Sequence, residues 1–430
     1  MIMAKGKGLK VRMRAGTLAV VLVLLLAACA QATPGFPTGT SSASEEVTAG
    51  PTPSESAAPS PSPSPSEPGA TQTTTPAAGL SLSSIRMVSP TAGWATSEDS
   101  FHLYRTTDGG TSWQDVTPPE AGGAHTSPGA LEGLDEQTAW IGFTRDEQKT
   151  LTVFATHDGG KTWQGTVFHQ PTARTAGAVA LLPYVKSLQF LDVTHGWLLV
   201  TYGGAAGSEW VELYRTDDGG ASWTHAASGA PDEDAQLAGG DKTGVRFADE
   251  RNGWLTGSQN TLPGELLGVT HDGGKTWHSV DLPAPAGYAT PGADMTTYPP
   301  TFFTPQQGVL PVIFGDGSDH PTLLFYGTHD GGAAWQAGTL LPGAQTFHGY
   351  RWSVLDSGHL FASDGSRIYL SSDEGQTWQT VEPDAKLAPL AQLDFVSPEV
   401  GWALVGDLQV DELLELWKTT DGGRHWSALP

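Results

Sequence analysis

Hydrophobic and polar positions alternate in short runs along residues 81–430, and glycine-rich turns separate the runs. Phe101-His102-Leu103-Tyr104 and Trp113-Gln114-Asp115-Val116 show this period of two. Alternation of this kind predicts β-strands, because successive side chains of a strand point to opposite faces of its sheet. The chain from residue 81 onward is therefore expected to be all-β.

One of the turns recurs as a short block, seen for example at Thr106-Thr107-Asp108-Gly109-Gly110-Thr111-Ser112-Trp113. Asp accepts hydrogen bonds from the backbone of its own turn and Gly supplies positive φ, so the block predicts a tight hairpin. We expect its Asp and Trp to be structural and not catalytic. The seven pairs are Asp108 and Trp113, Asp158 and Trp163, Asp218 and Trp223, Asp272 and Trp277, Asp330 and Trp335, Asp373 and Trp378, and Asp421 and Trp426.

A second block precedes each hairpin and reads as an apolar residue, then Asp, Ser or Thr, then Gly-Trp. Phe190 to Trp197 shows it well, and Phe247 to Trp254, Phe395 to Trp402 and Met87 to Trp94 repeat it. Degenerate copies run from Gly133 to Trp140, from Phe302 to Val309 and from Trp352 to His359. We number the seven repeat units 1 to 7 in chain order.

The spacing of the units predicts the fold. Successive hairpin Asp residues are 50, 60, 54, 58, 43 and 48 positions apart. A period near 50 in a β-rich chain is typical of four-stranded propeller blades. Each unit should form strands A to D, with the Gly-Trp block between A and B and the hairpin between C and D. We therefore predict a seven-bladed β-propeller of four-stranded antiparallel blades over residues 81–430.

The hairpin block resembles the Asp-box, or bacterial neuraminidase repeat, Ser/Thr-x-Asp-x-Gly-x-Thr/Ser-Trp. With the interleaved Gly-Trp block, residues 84–430 look most like propellers of the photosystem II assembly and stability factor-like family. This resemblance implies the fold, but sialidases, xyloglucan hydrolases and sortilin receptors carry the same repeat. A shared fold does not identify a chemistry.

The repeated turns share one face of a propeller, so we expect function on the opposite face, where the loops do not repeat. His157, His271 and His329 precede the hairpin glycines but lie in different blades, too far apart to share a metal ion. No metal or other cofactor is expected. The acidic loop face either binds a cationic or hydrogen-bonding partner or merely keeps the protein soluble. Its candidate binding residues are Tyr184, Glu209, Trp210, Tyr288, Tyr298, Asp316 and Asp319.

One position on strand A, just before the apolar residue, is polar in all seven units. Strand A is innermost in a propeller, so these side chains are candidates to line the central channel. The ring reads Arg86, Glu132, Gln189, Arg246, Thr301, Arg351 and Asp394. The arginines could clamp a carboxylate or another anion, similar to the arginine cluster of the assembly-factor family. Alternatively the ring is a structural set of compensating charges, which is the interpretation we favour.

The N-terminal residues resemble a bacterial lipoprotein signal. Residues 1–14 are basic, the apolar run Ala15 to Ala28 follows, and the run ends in Leu26-Ala27-Ala28-Cys29. This pattern predicts a signal peptide over residues 1–28 and lipid attachment at Cys29. An ordinary signal peptide with an incidental Cys is the alternative. Residues 29–80, rich in Ala, Ser, Thr, Pro and Gly, are expected to form a disordered linker.

Composition limits the functions of this 430-residue chain. The single Cys excludes an intramolecular disulfide and a Cys-rich zinc site. A formal charge of −24 argues against nucleic-acid binding. The chain is expected to be a monomer anchored by lipid on the extracytoplasmic side of a membrane.

Two function classes remain, apart from a ligand-trapping receptor that the sequence does not separate from the first. The first is a binding or assembly scaffold for a protein or glycan partner. The second is a glycoside hydrolase similar to the sialidases, which carry an Arg-Ile-Pro segment where this chain reads Ile85-Arg86-Met87. Because that segment is absent and no catalytic set stands out, we expect the scaffold, with no catalytic residues assigned.

Overall fold

The computed structural model covers most of the repeat region. The structure describes residues 74–97, 102–119, 121, 126–145, 150–168, 175–176, 179–180, 183–205, 208–229, 237, 239–259, 265–286, 295–315, 320–344, 349–406 and 414–430. No helix in these ranges is long and apolar enough to cross a membrane. The predicted signal peptide, Cys29 and most of the linker lie outside the described residues.

The repeat units form antiparallel sheets whose strands follow one another in chain order. Units 2, 3, 6 and 7 are separate four-stranded sheets, and units 4 and 5 are joined at Ser258 and Thr296 into one nine-stranded sheet. Unit 1 comprises β1 (Thr74–Pro76), a 3-10 turn (Ala77–Gly79), β2 (Leu82–Met87), β3 (Gly93–Ser97), β4 (Leu103–Thr106) and β5 (Ser112–Asp115). Unit 2 comprises β6 (Thr126–Gly133), β7 (Ala139–Arg145), β8 (Thr150–Thr156) and β9 (Gln164–Phe168), followed by the short hairpin β10 (Thr175–Ala176) and β11 (Val179–Ala180). Unit 3 comprises β12 (Tyr184–Phe190), β13 (Gly196–Ala205), β14 (Ser208–Thr216) and β15 (Thr224–Ser228).

The remaining units repeat this order of strands. Unit 4 comprises β16 (Asp241–Phe247), β17 (Gly253–Ser258), β18 (Glu265–Thr270) and β19 (His278–Ser279). Unit 5 comprises β20 (Met295–Thr297), β21 (Thr301–Phe302), β22 (Gly308–Phe314), β23 (Thr322–Thr328) and β24 (Gln336–Ala337). Unit 6 comprises β25 (Arg351–Asp356), β26 (His359–Ser363), β27 (Ile368–Ser371) and β28 (Gln379–Val381). Unit 7 comprises β29 (Leu390–Phe395), β30 (Gly401–Val405), β31 (Glu415–Thr419) and β32 (Ser427–Ala428).

The folded part extends further toward the N-terminus than residue 81, where the sequence placed its start. Strand β1 pairs with β5, the outer strand of unit 1, with Thr75 opposite Trp113. It is therefore a fifth strand on the outer edge of that sheet. Residues 74–79, which the sequence analysis assigned to the linker, belong to the folded part.

The hairpins depend on the Asp and on the Thr or Ser two residues before it. In unit 3 the Thr216 hydroxyl donates to Asp218 Oδ1 at 2.8 Å and accepts from Gly220 N–H at 2.9 Å. The Asp218 carboxylate also accepts from the Ser222 N–H and hydroxyl. Gly219 and Gly220 have φ of 73° and 92°, which residues other than Gly rarely adopt. Asp108, Asp158, Asp272, Asp330, Asp373 and Asp421 accept from the Thr or Ser hydroxyl in the same way.

The tryptophans of the Gly-Trp block hold neighbouring sheets together. Trp140 of unit 2 stacks on Phe190 of unit 3 at 3.6 Å between ring centroids, and its Nε1 donates to Gly219 O of that unit at 2.8 Å. Trp197 stacks in the same way on Phe247 of unit 4 at 3.9 Å. These indoles are fully buried. The apolar core therefore lies between sheets, and each repeat is stabilised largely by the next one.

The glycine of this block is required by the same stack. A Cβ on Gly196 would lie 2.7 Å from the Phe190 ring, closer than real carbon contacts allow. Phe190 is thus held between Gly196 of its own unit and Trp140 of the unit before. Any larger residue at Gly196 would displace the ring from the Trp140 stack.

Side chains of unit 7 bond the backbone of unit 1, which brings the two ends of the repeat region together. Gln392 accepts from Ile85 N–H at 3.0 Å and donates to Ile85 O at 2.6 Å. Trp402 Nε1 donates to Gly109 O at 2.9 Å. Among the described residues, no strand of unit 7 pairs with a strand of unit 1. The two units are therefore joined by side-chain hydrogen bonds and packing.

Candidate functional site

The candidate site is a cavity formed by the first strands of the units. These strands contact one another, as β2 does with β6 and β29. The cavity has a volume of about 620 Å³, within the usual range of about 300–1,000 Å³ for small-ligand sites. Five residues of the sequence-predicted ring line it, namely Arg86, Glu132, Arg246, Thr301 and Asp394.

Strand register corrects the predicted ring in unit 6. In unit 7 the ring residue Asp394 lies opposite Trp402. In unit 6 the residue opposite Phe361 is Ser353, two positions after the predicted Arg351. Phe361 is the counterpart of Trp402 because it stacks on Phe395 of the next unit at 3.8 Å.

The sequence-based alignment failed here because unit 6 has no Gly-Trp pair, and the Trp and Gly of its second block, Trp352 and Gly358, do not hold the positions of that pair. Leu360 and Phe361 occupy the places that Gly401 and Trp402 take in unit 7, as the pairing of Leu360 with Ser371 shows. Ser353 lines the cavity in place of Arg351. The corrected ring therefore contains two arginines and two carboxyl groups.

Several side chains of the ring predicted from sequence join neighbouring units. The Gln189 amide donates to Phe247 O at 2.7 Å and accepts from Phe247 N–H at 2.6 Å. Arg351 donates from Nε to Ala391 O of unit 7 at 2.8 Å. Asp394 accepts from Met87 N–H at 2.8 Å. These contacts support the structural interpretation of the ring for Gln189, Arg351 and Asp394.

Arg86 and Arg246 differ from the others. Within the described residues, neither guanidinium has a hydrogen bond or an ion pair, although both line the cavity. Arg86 is exposed and Arg246 is half-buried. Arg86 acts on Asp394 through its charge but makes no hydrogen bond to it, so the N–H groups of both guanidinium groups remain available to bind a carboxylate or another oxyanion.

The carboxyl groups of the cavity are buried. Asp394 is 7% exposed and Glu132 is 8% exposed. Burial raises the pKa of Asp394 to about 6, although the charge of Arg86 and the Met87 N–H both lower it. Asp394 therefore exchanges its proton near neutral pH, where a general acid would have to work.

The residues predicted to form a binding loop face are placed in different surroundings. Tyr184 is exposed, and Trp210 is half-buried. The carboxylate of Glu209 is buried and accepts from Lys186 Nζ at 3.2 Å and from Lys242 N–H at 2.8 Å. Tyr298 packs edge-on against Trp352, with ring centroids 4.9 Å apart.

The other predicted binding residues, Tyr288, Asp316 and Asp319, lie outside the described residues. Among those described, no group of three or more His, Cys, Asp and Glu side chains could hold a metal ion.

Sequence reasoning missed two kinds of residue at this cavity. Ser353 was hidden by the two-residue register error. Gln392 and Pro299 also line the cavity but lie outside the aligned ring position. Gln392 is two residues before Asp394, so period-two alternation on strand A could have identified it.

No family model and no curated protein matches the chain. Among solved structures, YCF48 from Cyanidioschyzon merolae matches with a TM-score of 0.50 at 16% identity, covering 79% of this chain and 95% of that one. The GH74 xyloglucanase from Xanthomonas campestris matches with a TM-score of 0.33 at 14% identity, covering 80% of this chain and 63% of that one. The GH93 α-L-arabinofuranosidase of Fusarium graminearum reaches 0.41 at 14% identity, covering 69% and 92%.

Of these, only the YCF48 match is close enough to support a shared fold. It agrees with the seven Asp hairpins, the four-stranded antiparallel sheets and the stacks between them. The predicted resemblance is confirmed at the level of fold: the chain is an Asp-box propeller similar to YCF48, a propeller of the photosystem II assembly-factor type.

Proposed function

We propose that this protein is a binding scaffold that takes an anionic group of its partner, such as a carboxylate, into the central cavity. Arg86 and Arg246 carry this proposal, since both line the cavity and neither makes a hydrogen bond or an ion pair among the described residues. An arginine that binds a carboxylate gains charge-assisted hydrogen bonds that water cannot fully replace. The non-repeated loops would contact the rest of the partner, a protein or a glycan.

The proposed architecture is a seven-bladed ring closed between units 7 and 1. The contacts of Gln392 and Trp402 with unit 1 support it. We further propose a lipid anchor at Cys29, with the propeller held as a monomer off the extracytoplasmic side of a membrane by the linker. Fractionation of cells making the full chain or its Cys29→Ser variant tests the anchor. Membrane retention of the variant would contradict it.

The anion proposal is tested by a double variant, Arg86→Gln with Arg246→Gln. The probe is a short acidic peptide with a free C-terminal carboxylate, and the same peptide with an amidated C-terminus is the ligand control. We expect calorimetry to show at least about tenfold weaker binding by the double variant, the size of one charge-assisted contact.

Arg367→Gln is the matched protein control, because Arg367 is an exposed arginine paired with Glu382 on unit 6. It should leave the affinity unchanged. Equal binding of the free and amidated peptides, or full binding by the double variant, would contradict an anion site in the cavity.

A glycoside hydrolase is the second candidate, supported by one observation. Glu132 and Asp394 line the same cavity, and the pKa of Asp394 is raised to about 6. Glycosidases use a carboxylic acid of raised pKa together with a second carboxylate. Release of the aryl group from aryl glycosides, abolished by Asp394→Asn, would favour this function. No turnover by the wild-type protein across such substrates would contradict it.

A further inference from the structure

At three unit boundaries a cationic side chain completes the junction. Each is the cross-strand neighbour of the Gly-Trp tryptophan and lies over its ring. The three pairs are Arg105 over Trp94, Arg215 over Trp197 and Lys418 over Trp402, at 5.8, 5.5 and 4.8 Å from the ring centroid. The cation therefore belongs to a repeated device that joins one unit to the turns of the next.

The boundary between units 7 and 1 shows what the cation binds. Lys418 Nζ donates to Pro90 O at 3.3 Å and to Gly109 O at 3.4 Å. Gly109 O also accepts from Trp402 Nε1 at 2.9 Å. In the following unit, the carbonyl from the A–B turn thus accepts from the cation, and the carbonyl from the Asp hairpin accepts from both the cation and the indole N–H.

The boundary between units 6 and 7 lacks both donors. The tryptophan position is Phe361 and its cross-strand neighbour is Leu370. The equivalent acceptors, Pro398 O and Gly422 O, have no donor among the described residues. All four residues line a cleft of about 540 Å³.

The other boundaries that lack a cation differ from this one. Between units 4 and 5 the buried Trp254 remains opposite Val269, although its Nε1 makes no hydrogen bond to the described residues. Between units 2 and 3 the tryptophan remains, and Trp140 Nε1 bonds Gly219 O. Between units 5 and 6 the tryptophan is also absent, but the Glu374 carboxylate lies there and contacts Gln307 and His329. The cleft between units 6 and 7 therefore has free acceptors and no side chain of its own that occupies them.

The charges around the cleft suit a cation. Glu399 is exposed at its rim, and hydrogen bonds keep the pKa of Asp421 at about 2 against the effect of burial, so Asp421 is ionised. Arg424 is the positive group in the lining, and its Nη1 is engaged with Asp421 O at 2.8 Å. His359 is engaged with Asp356 Oδ1 at 2.9 Å.

We propose that this cleft binds the guanidinium or ammonium group of a basic side chain from a partner peptide. The cation takes the place that Lys418 occupies at the next boundary, over the Phe361 ring and bonded to Pro398 O and Gly422 O. A cleft of this volume holds a whole side chain with its flanking backbone. The site lies on the face of the Asp hairpins, away from the loops expected to vary, and is distinct from the central cavity.

The test uses Ac-Gly-Arg-Gly-amide as the probe and the same peptide with citrulline, its neutral isostere, as ligand control. Binding is followed by shifts of the backbone amide signals of Glu399 and Gly422 in the full chain. We expect the arginine peptide to bind at least about threefold more tightly than the citrulline peptide, as a cation over an aromatic ring requires.

Leu370→Lys supplies the missing cation from the protein itself and should lower affinity for the arginine peptide at least about tenfold, by occupying the acceptors. Leu370→Met, similar in size and apolar, should leave it within about twofold. Glu399→Gln gives a second, surface variant that should weaken binding without altering the fold. The Arg86→Gln, Arg246→Gln protein should bind normally, which separates this site from the proposed function.

Three outcomes would overturn the proposal. They are equal affinity for the arginine and citrulline peptides, no amide shifts at Glu399 or Gly422 at saturating peptide, and unchanged binding by a folded Leu370→Lys protein.

Discussion

Asp394 is a buried carboxyl group that costs stability when it ionises. Its pKa is raised to about 6 by burial, which Arg86 and the Met87 N–H offset only in part. In the unfolded chain the group titrates near 3.8. Between these values the folded state binds more protons than the unfolded state, so stability falls as pH rises from about 4 to 6. Burial outweighs the nearby positive charge.

Asp394→Asn should remove this pH dependence. Asn keeps an acceptor for Met87 N–H but does not ionise, so the variant should lose less stability between pH 4 and 7. Two pKa units correspond to about 3 kcal/mol, an upper value for the effect. Urea unfolding of both proteins at several pH values measures it. Parallel stability curves for the two proteins would show that Asp394 is not the responsible group.

The hairpin and the Gly-Trp stack are the two elements that every unit must build. The hairpin is local, because Asp218 and its donors Thr216 and Ser222 lie within seven residues. Hydrogen bonds from the Ser222 hydroxyl and N–H lower the pKa of Asp218, so its charge is retained in acid. The stack is not local, since Phe190 stacks on Trp140 of the preceding unit.

Asp218→Ala should destabilise the protein by about 1–2 kcal/mol, because Ser222 N–H and both hydroxyls lose their acceptor at a partly exposed turn. Asp218→Asn retains an acceptor and should cost less than half as much. Denaturant midpoints compare the two. Equal losses would mean that the charge, and not the geometry of the acceptor, holds the turn.

At the scale of the repeat region, the first and last units contact each other. Most units are followed by another, but the last described unit must meet the first. The side chains of Gln392, Trp402 and Lys418 form this contact by hydrogen bonds to the backbone of unit 1. Strand β1 adds to the outer edge of unit 1 instead of completing the sheet of unit 7. Closure therefore depends on contacts between sheets.

Gln392→Ala should weaken this junction by about 1–3 kcal/mol, because the N–H and C=O of the buried residue Ile85 both lose their half-buried partner. Gln164→Ala is the control, an exposed glutamine with no side-chain hydrogen bond among those described, and should change stability by less than about 0.5 kcal/mol. Thermal unfolding gives both values. A loss no larger for Gln392→Ala than for the control would place closure on the apolar contacts alone.

The sequence by itself determined the features that depend on residues close together in the chain. The Asp hairpins, the alternating strands and the period of the units follow from turn chemistry and pleat, so the propeller fold could be predicted. Most of the polar ring on strand A followed too, because one residue per unit keeps one register. In unit 6 that reasoning chose Arg351 over Ser353, since the marker residues Gly and Trp are replaced there.

Only the tertiary structure decided which polar groups are free. Gln189 and Arg351 are polar and were both predicted to line the central channel, yet both are bonded to the next unit. Arg86 and Arg246 have the same sequence context but no such partner. The same holds between units 6 and 7. Leu370 and Phe361 cannot donate hydrogen bonds to Pro398 O and Gly422 O, whereas Lys418 and Trp402 donate to the equivalent carbonyls at the boundary between units 7 and 1. Hydrogen bonds between units join residues about 40 to 300 positions apart, and no local pattern records whether a given one is made.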